Sequence, residues 1–447
     1  MAPHGESDAA TAGGQAAEKL KSTAQAVISA IHHEDQSEAH RIFRSHPGHN
    51  GARRASTISS ADASAFKSQL GQEEIGDRFP AIQHPGSTGV IYVTDRATSN
   101  GFYYGNPEWA NLGQGAPEVG NIEGGAPRTL QFDLSQFGEG VHEYAPNTGT
   151  MALRKAVANY YNQTFRQNRD KKFDYSNLPE YTSYESMLSA FKSLVPIPTV
   201  LSEEDRYKLS TDDLRKEIKG RGLSAMIMSN PRNPTGMLIE GEELKCLVET
   251  SKELGCTILL DEFYSWYMHE GPLGRANSAA EHIDDINDTP IVMIDGLTKG
   301  FRLPDRIALQ KLFRHKRQHV LARLKKMGLE VKVEPQGTFY IWLSLASLGD
   351  SPLSSGLVMF EELLREKTIV VPGIAFDINP AHRRNIVQSP CEKFIRISYG
   401  PELSQIDRGL DALERVIAKA DPKHADYAKV GKGFAPTKAA HADVQHD

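Results

Sequence analysis

Cysteine is nearly missing from this sequence: Cys246, Cys256 and Cys391 are the only three, and none sits in a C-x-x-C pair. That excludes a disulfide framework and a thiolate zinc site, leaves no metal expected, and fits a reducing, cytoplasmic setting. Long apolar runs are lacking too. None approaches the ~18 residues of a membrane helix, so no membrane association is expected. Nor is there a surplus of positive charge. With 51 Lys and Arg against 57 Asp and Glu, the net charge of -6 gives no global field to hold a polyanion, which argues against nucleic acid as a partner. The first residues, 1–20, carry acidic side chains and no apolar h-region, so no secretory signal is expected there. The densest basic stretch holds Lys311, Arg314, Lys316, Arg317, Arg323, Lys325 and Lys326. It is threaded by Leu309, Phe313, Val320 and Leu324 at helical spacing, and reads as the solvated face of a helix over about 307–327.

Residues 1–79 are rich in Ala, Ser, Gly, His and charge and are expected to form a mostly disordered extension; 421–447 have the character of a disordered tail. Between them, short apolar runs alternate with helical patterns, the signature of an α/β fold with a mostly parallel sheet flanked by helices. The expected order is an N-terminal arm at 80–129, a large domain at 130–305, and a smaller α+β C-terminal domain at 306–420. Within the smaller domain a strand is expected over 338–343.

Three apolar runs carry most of the argument: 225–228, 257–260 and 291–294. Each is apolar almost throughout, as expected for a parallel strand covered on both faces, and each ends abruptly in polar residues. These are Ser229-Asn230-Pro231-Arg232-Asn233-Pro234-Thr235-Gly236, Asp261-Glu262-Phe263-Tyr264, and Asp295-Gly296-Leu297-Thr298-Lys299. Open α/β sheets bind ligands at the carboxyl ends of their strands, so Asn, Asp, Tyr and Lys would converge in one cleft. Taken singly, each residue has an ordinary role. Asp261 can cap a helix after its strand, Asn233 to Gly236 can be only a turn, Lys299 can sit in an exposed loop, and Arg396 can pair with a surface carboxylate.

Taken together and in this order, N-P-R-N-P-T-G, D-E-F-Y, T-K-G-F-R-L-P and F-I-R-I-S-Y resemble the class I/II aminotransferases, pyridoxal-phosphate (PLP) enzymes of fold type I; the resemblance spans about 111–413. It implies that Lys299 carries the cofactor as a Schiff base and then moves a proton at the substrate Cα. Asp261 would keep the pyridine nitrogen protonated, Asn233 and Tyr264 would hydrogen-bond the ring oxygen, and Arg396 would clamp the substrate carboxylate. Tyr181 resembles the aromatic stacked on the ring, and Tyr144 the tyrosine that reaches the neighbouring subunit's cofactor phosphate, which implies a homodimer. Gly113 resembles the close-approach glycine of the substrate-side loop, and Thr298 is the hydroxyl nearest the lysine. The substrates implied are an α-amino acid and a 2-oxo acid. The same lysine, aspartate and arginine also serve aminocyclopropane-carboxylate-synthase-like or C–S lyase chemistry, or persist in a non-catalytic homologue.

Two departures from the family pattern resemble internal deletions. The interval Asn168 to Leu178, where a glycine-containing phosphate loop should open a helix, has no glycine and is too short for a strand–helix–strand unit. After Lys299 the chain runs through Arg302-Leu303-Pro304-Asp305-Arg306 directly into helical pattern, with Arg306 one residue out of register for the family's phosphate-gripping arginine; Gly296 stands where a hydroxyl residue is common. Lys171, Lys172 and Arg306 are the cations on hand to replace the missing phosphate contacts.

Overall fold

The computed structural model describes residues 89–117, 120, 122–125, 133, 149–174, 197–296, 298–300, 305–378, 388–424 and 426. Along them run α1 (Gly89–Ser99), β1 (Ala110–Asn111), α2 (Met151–Thr164), α3 (Thr211–Arg221), β2 (Ala225–Ser229), α4 (Gly241–Leu254), β3 (Thr257–Asp261), β4 (Ile291–Ile294) and α5 (Arg306–Lys326). Then come β5 (Tyr340–Ser344), α6 (Gly356–Arg365), β6 (Thr368–Ile369), β7 (Val371–Pro372), β8 (Phe394–Ser398) and α7 (Leu403–Ala418). The stretches read as a disordered extension and tail lie outside the described residues, save 421–424 and 426.

The three apolar runs are strands, in the order β2-β3-β4 and all parallel. Helix α3 starts where Ser210 Oγ accepts from Asp213 N, has acids in its first turn and bases in its last, and stops at Gly222 with φ 62°. Helix α4 likewise stops at Gly255, also at φ 62°. These two helices bring Leu214, Ile218, Leu244, Leu247 and Val248 onto Ile258, Leu260 and Ile291. Burying each such side chain contributes ~1.5–3 kcal/mol. Strand periodicity sends Ile227, Leu259 and Val292 to the opposite face, and there they are only half-buried. The expectation of strands covered on both faces is met only in part, since Met226, Met228 and Met293 on the face packed by α3 and α4 are half-buried too.

The second sheet is antiparallel, in the order β5-β8-β7, and β1 pairs with β6 as a two-residue parallel ladder. Phe339, Ile341, Leu343, Ile395 and Ile397 are at most 1% exposed, as are Phe360 and Leu363 of α6 and Leu410 and Val416 of α7. Strand β5 begins two residues later than expected, because Thr338 takes φ 67° in a turn where Gly337 N donates to Gly236 O and Thr338 N to Tyr267 O. The basic stretch is helix α5, but reading it as a solvated face needs correction. Lys316 is 1% exposed and donates to the carbonyls of Gly400 and Pro401. Arg314 donates to the carbonyls of Met268, Glu270 and Gly271, and Arg317 to that of Pro335. Their stems pack while their heads reach backbone oxygens. Lys311, Lys325 and Lys326 are exposed as expected.

Candidate active site

At the carboxyl end of β2 the buried Asn230 fixes the loop beyond the strand. Its Nδ2 donates to Ile239 O at 2.7 Å and its Oδ1 accepts from Ile239 N at 2.8 Å. Arg232 N donates to Met237 O and Gly236 N to Arg232 O, which closes the turn. The buried Arg232 guanidinium donates to Tyr207 O, and burial pulls its pKa down to about 10. This loop presents Asn233, whose Oδ1 accepts from Arg396 Nη1 at 2.9 Å.

Register places Asp261, the last residue of β3, opposite Ser229 and Ile294, so Asn230 and Asp295 come next on either side of it. Phe263 N donates to Asp261 Oδ1 at 3.1 Å; the aspartate does cap the turn, and it still stands at the strand end where the family pattern places it. Next along the chain, Glu262 is fully buried and accepts from Ser278 Oγ at 2.5 Å and Ala279 N at 2.7 Å. Burial pushes its pKa up to about 8, against the pull of those two bonds. Asp295 accepts from Tyr161 OH at 3.1 Å and Gly296 N at 2.7 Å, and burial, with help from nearby Asp261, raises its pKa to about 6.

Tyr264, buried, shares a 2.8 Å hydrogen bond with the hydroxyl of Tyr340. The Tyr340 ring lies under the Arg396 guanidinium at 4.1 Å, with Phe376 on that guanidinium at 4.9 Å. Arg396 is 2% exposed; its Nη2 donates to Gly113 O at 2.9 Å, and its buried Nε has no hydrogen-bond partner. The β1–β6 ladder brings in the 111–117 loop, where Asn111 Oδ1 accepts from Gly113 N and Gln114 N and turns the chain. At Gly113 an added Cβ would stand 3.0 Å from Ile369 Cγ2, and at Gly115 one would stand 2.7 Å from the Tyr340 hydroxyl. Gly115 O in turn accepts from Lys299 Nζ.

The structure thus links Lys299, Gly115, Tyr340, Tyr264, Arg396, Asn233 and Gly113 in one chain of contacts. Asp261 lies close enough to act electrostatically on both tyrosines. Thr298 is not among them: it is exposed. Tyr144 and Tyr181 lie outside the described residues. Sequence reasoning singled out neither Tyr340 nor the Asp295–Tyr161 pair. Tyr340 was legible only as one more aromatic in an alternating strand, and Tyr161 as a helix-face aromatic.

Of the replacement cations for a phosphate, Lys171 pairs with Asp285, and Lys172 donates to the carbonyls of Arg166 and Gln167. Arg306 is the first residue of α5, as its place in the helical pattern implied, and its guanidinium lies over Trp266 at 4.4 Å. Trp266 is also the ring against which Gly300, next to Lys299, is packed.

A parallel sheet with a lysine, an aspartate and an asparagine at its strand ends, beside a sheet that presents a buried arginine, is the arrangement of the fold type I PLP-dependent transferases. Comparison with known proteins agrees. The profile "Aminotransferase class I and II" matches residues 174–309. Aromatic-amino-acid aminotransferase 2 of Thermococcus litoralis is 23% identical over 381 residues, with 69% of this chain and 91% of the relative covered. An aspartate aminotransferase of Pyrococcus horikoshii is 22% identical over 380 residues, covering 69% and 90%. Among solved structures, N-succinyldiaminopimelate aminotransferase from Mycobacterium tuberculosis superposes with a TM-score of 0.55 at 20% identity, covering 74% of this chain and 97% of that one. Aspartate aminotransferase from Thermus thermophilus with maleate gives 0.54 at 18%, covering 74% and 97%. Residues 174–309 thus match the class I and II aminotransferase family, and the fold is that of solved aminotransferases.

Members of that family are PLP-dependent, and the donor set here fits the ring of that cofactor: a carboxylate at a strand end, an amide and a phenol beside it, and a lysine amine. Among the described residues, Arg306 is the one of the three replacement cations that is joined to this set, through Trp266, on which Gly300 packs.

Proposed function

We propose that the chain is a PLP-dependent aminotransferase moving an amino group between an α-amino acid and a 2-oxo acid. The observation that carries this is the single contact chain from Lys299 through Gly115, Tyr340 and Tyr264 to Arg396 and Asn233. When bound, the cofactor supplies an electron sink for the carbanion at the substrate Cα. The residues do the rest. Lys299 Nζ would anchor the ring and, once the substrate amine has displaced it, would as the free amine take the Cα proton and deliver it to the cofactor side rather than back to Cα. Asp261 holds the ring nitrogen protonated, while Asn233 and Tyr264 donate to the ring oxygen. Arg396 already has one N–H on Asn233 and one on Gly113, and it offers its remaining N–H groups, the buried Nε among them, to the substrate carboxylate. Held in that way, the carboxylate fixes which Cα bond stands perpendicular to the ring.

The setting we propose is a cytoplasmic homodimer in which Tyr144 reaches the partner's site, with 130–305 as the large domain and 306–420 as the small one. Nothing observed favours the synthase, lyase or non-catalytic alternatives. The test is 2-oxo acid formation from L-aspartate and from aromatic amino acids, with and without 2-oxoglutarate. Acceptor-dependent formation, lost by about 10³-fold or more in Lys299→Ala, supports transamination. Release of ammonia without an acceptor overturns it in favour of a lyase.

A further inference from the structure

We infer that Tyr340 is a positioning residue joining the carboxylate clamp to the ring-oxygen donor: its hydroxyl donates to Tyr264, which leaves the Tyr264 proton for the ring oxygen of the cofactor. The inference rests on the pyridoxal reading of the site and adds a residue to it.

Register explains how the parts meet. Across the β5–β8 ladder Tyr340 faces Ser398 and Trp342 faces Arg396, so Tyr340 and Arg396 are diagonal neighbours on one face of the sheet. That puts the guanidinium 4.1 Å from the centre of the Tyr340 ring, and the Tyr340 hydroxyl 2.8 Å from that of Tyr264. The backbone at Gly115 comes so close to this hydroxyl that a methyl there would stand 2.7 Å from it.

Two hydroxyls sharing one hydrogen bond have two arrangements, and only one of them leaves Tyr264 able to donate onward. Arg396 selects between them. A cation on the Tyr340 ring withdraws electron density and makes that hydroxyl the better donor. Burial raises both tyrosines and Arg396 pulls both back, but the guanidinium lies on the Tyr340 ring itself. A carboxylate landing on Arg396 offsets the guanidinium charge, weakens Tyr340 as a donor and so weakens the donation of Tyr264. Clamp occupancy is thereby read at the ring oxygen. Donors to that oxygen favour the form in which its negative charge is fullest, the form with the lysine–cofactor linkage deprotonated. Losing a donor therefore raises the protonation midpoint of the linkage.

The test is a pH titration of the ~420 nm absorbance of the PLP-loaded full chain, for wild type, Tyr340→Phe, Tyr264→Phe and the double variant, with circular dichroism on each. It is repeated with 3-phenylpropanoate, a carboxylate with no amine to react. The midpoint is expected to rise by about half a pH unit or more in Tyr340→Phe and further in Tyr264→Phe, and the double variant should match Tyr264→Phe. The upward shift caused by 3-phenylpropanoate should fall by about half in Tyr340→Phe. Should Tyr340→Phe lose its fold, Gly115→Ala displaces the hydroxyl with the tyrosine retained, and its midpoint should rise as well. An unchanged midpoint in the folded variant, or shifts that add in the double variant, would overturn the inference while leaving the pyridoxal reading intact. A wild-type chain with no ~420 nm band overturns both.

Discussion

Arg396 is held before any ligand arrives, by Asn233 and Gly113 on its edges and by Tyr340 and Phe376 on its faces. A planar fork satisfies all four at once; an ammonium cannot. Arg396→Lys should therefore raise KM for the amino acid by about 10–100-fold, measured by steady-state kinetics on a variant that folds as wild type does. Unchanged KM would remove Arg396 from the clamp. Glu262 makes a different kind of prediction. In the folded chain it keeps its proton up to about 8, whereas its unfolded value is 4.5. Between those values the unfolded chain releases the proton and the folded chain does not, so stability falls as pH rises from 4.5 toward 8. Asp295 acts with the same sign between 3.8 and about 6. Gln cannot ionise and keeps acceptor and donor for Ala279 and Ser278, so Glu262→Gln should lose less stability than wild type between pH 5 and pH 8 in urea denaturation. Equal losses would mean that Glu262 is already ionised at neutral pH.

Two loops hold the site together, and they meet at Gly236. It takes φ 71°, its carbonyl accepts from both Gln336 N and Gly337 N, and an added Cβ would stand 2.3 Å from Pro335 Cβ. The Asn233 loop is thereby fastened to the segment that leads into β5 and Tyr340. Gly236→Ala meets both a disfavoured backbone conformation and a backbone clash, and should destabilise by roughly 2 kcal/mol or more, read as a lower denaturation midpoint, with weakened cofactor binding beside it. A variant as stable as wild type would show that the two loops are not fastened there. The strands that lead to Asn233, Asp261 and Lys299 were legible in the sequence because each apolar run stops sharply at polar residues. The role of Tyr340 was not, since it depends on a diagonal register with a residue 56 positions away that no local pattern reports. Nor were the inward turns of Lys316, Arg314 and Arg317, because a charged side chain on a helix looks solvated until the carbonyls it reaches are placed.

At the scale of the whole molecule, the chain is shorter inside than its relatives. An alignment of 381 residues is longer than 69% of a 447-residue chain can fill, so the Thermococcus relative carries segments that this chain lacks. The sequence locates one such place: no glycine occurs from Thr150 to Lys219, where a phosphate loop would need one. A phosphate gripped by several charge-assisted bonds adds several kcal/mol to binding. Without them, PLP should bind within about tenfold of pyridoxal in an absorbance titration, whereas a preference of about a thousandfold would show that Arg306 or other residues grip the phosphate after all.

The central claim is that Lys299 carries the cofactor. The direct test is to incubate the purified chain with PLP, record the spectrum, reduce with borohydride and locate the added mass by peptide mass spectrometry. A ~420 nm band lost on reduction, with the pyridoxyl mass on the peptide containing Lys299, is the predicted result. No band at saturating PLP, or a label spread over surface lysines with Lys299 unmodified, would contradict it.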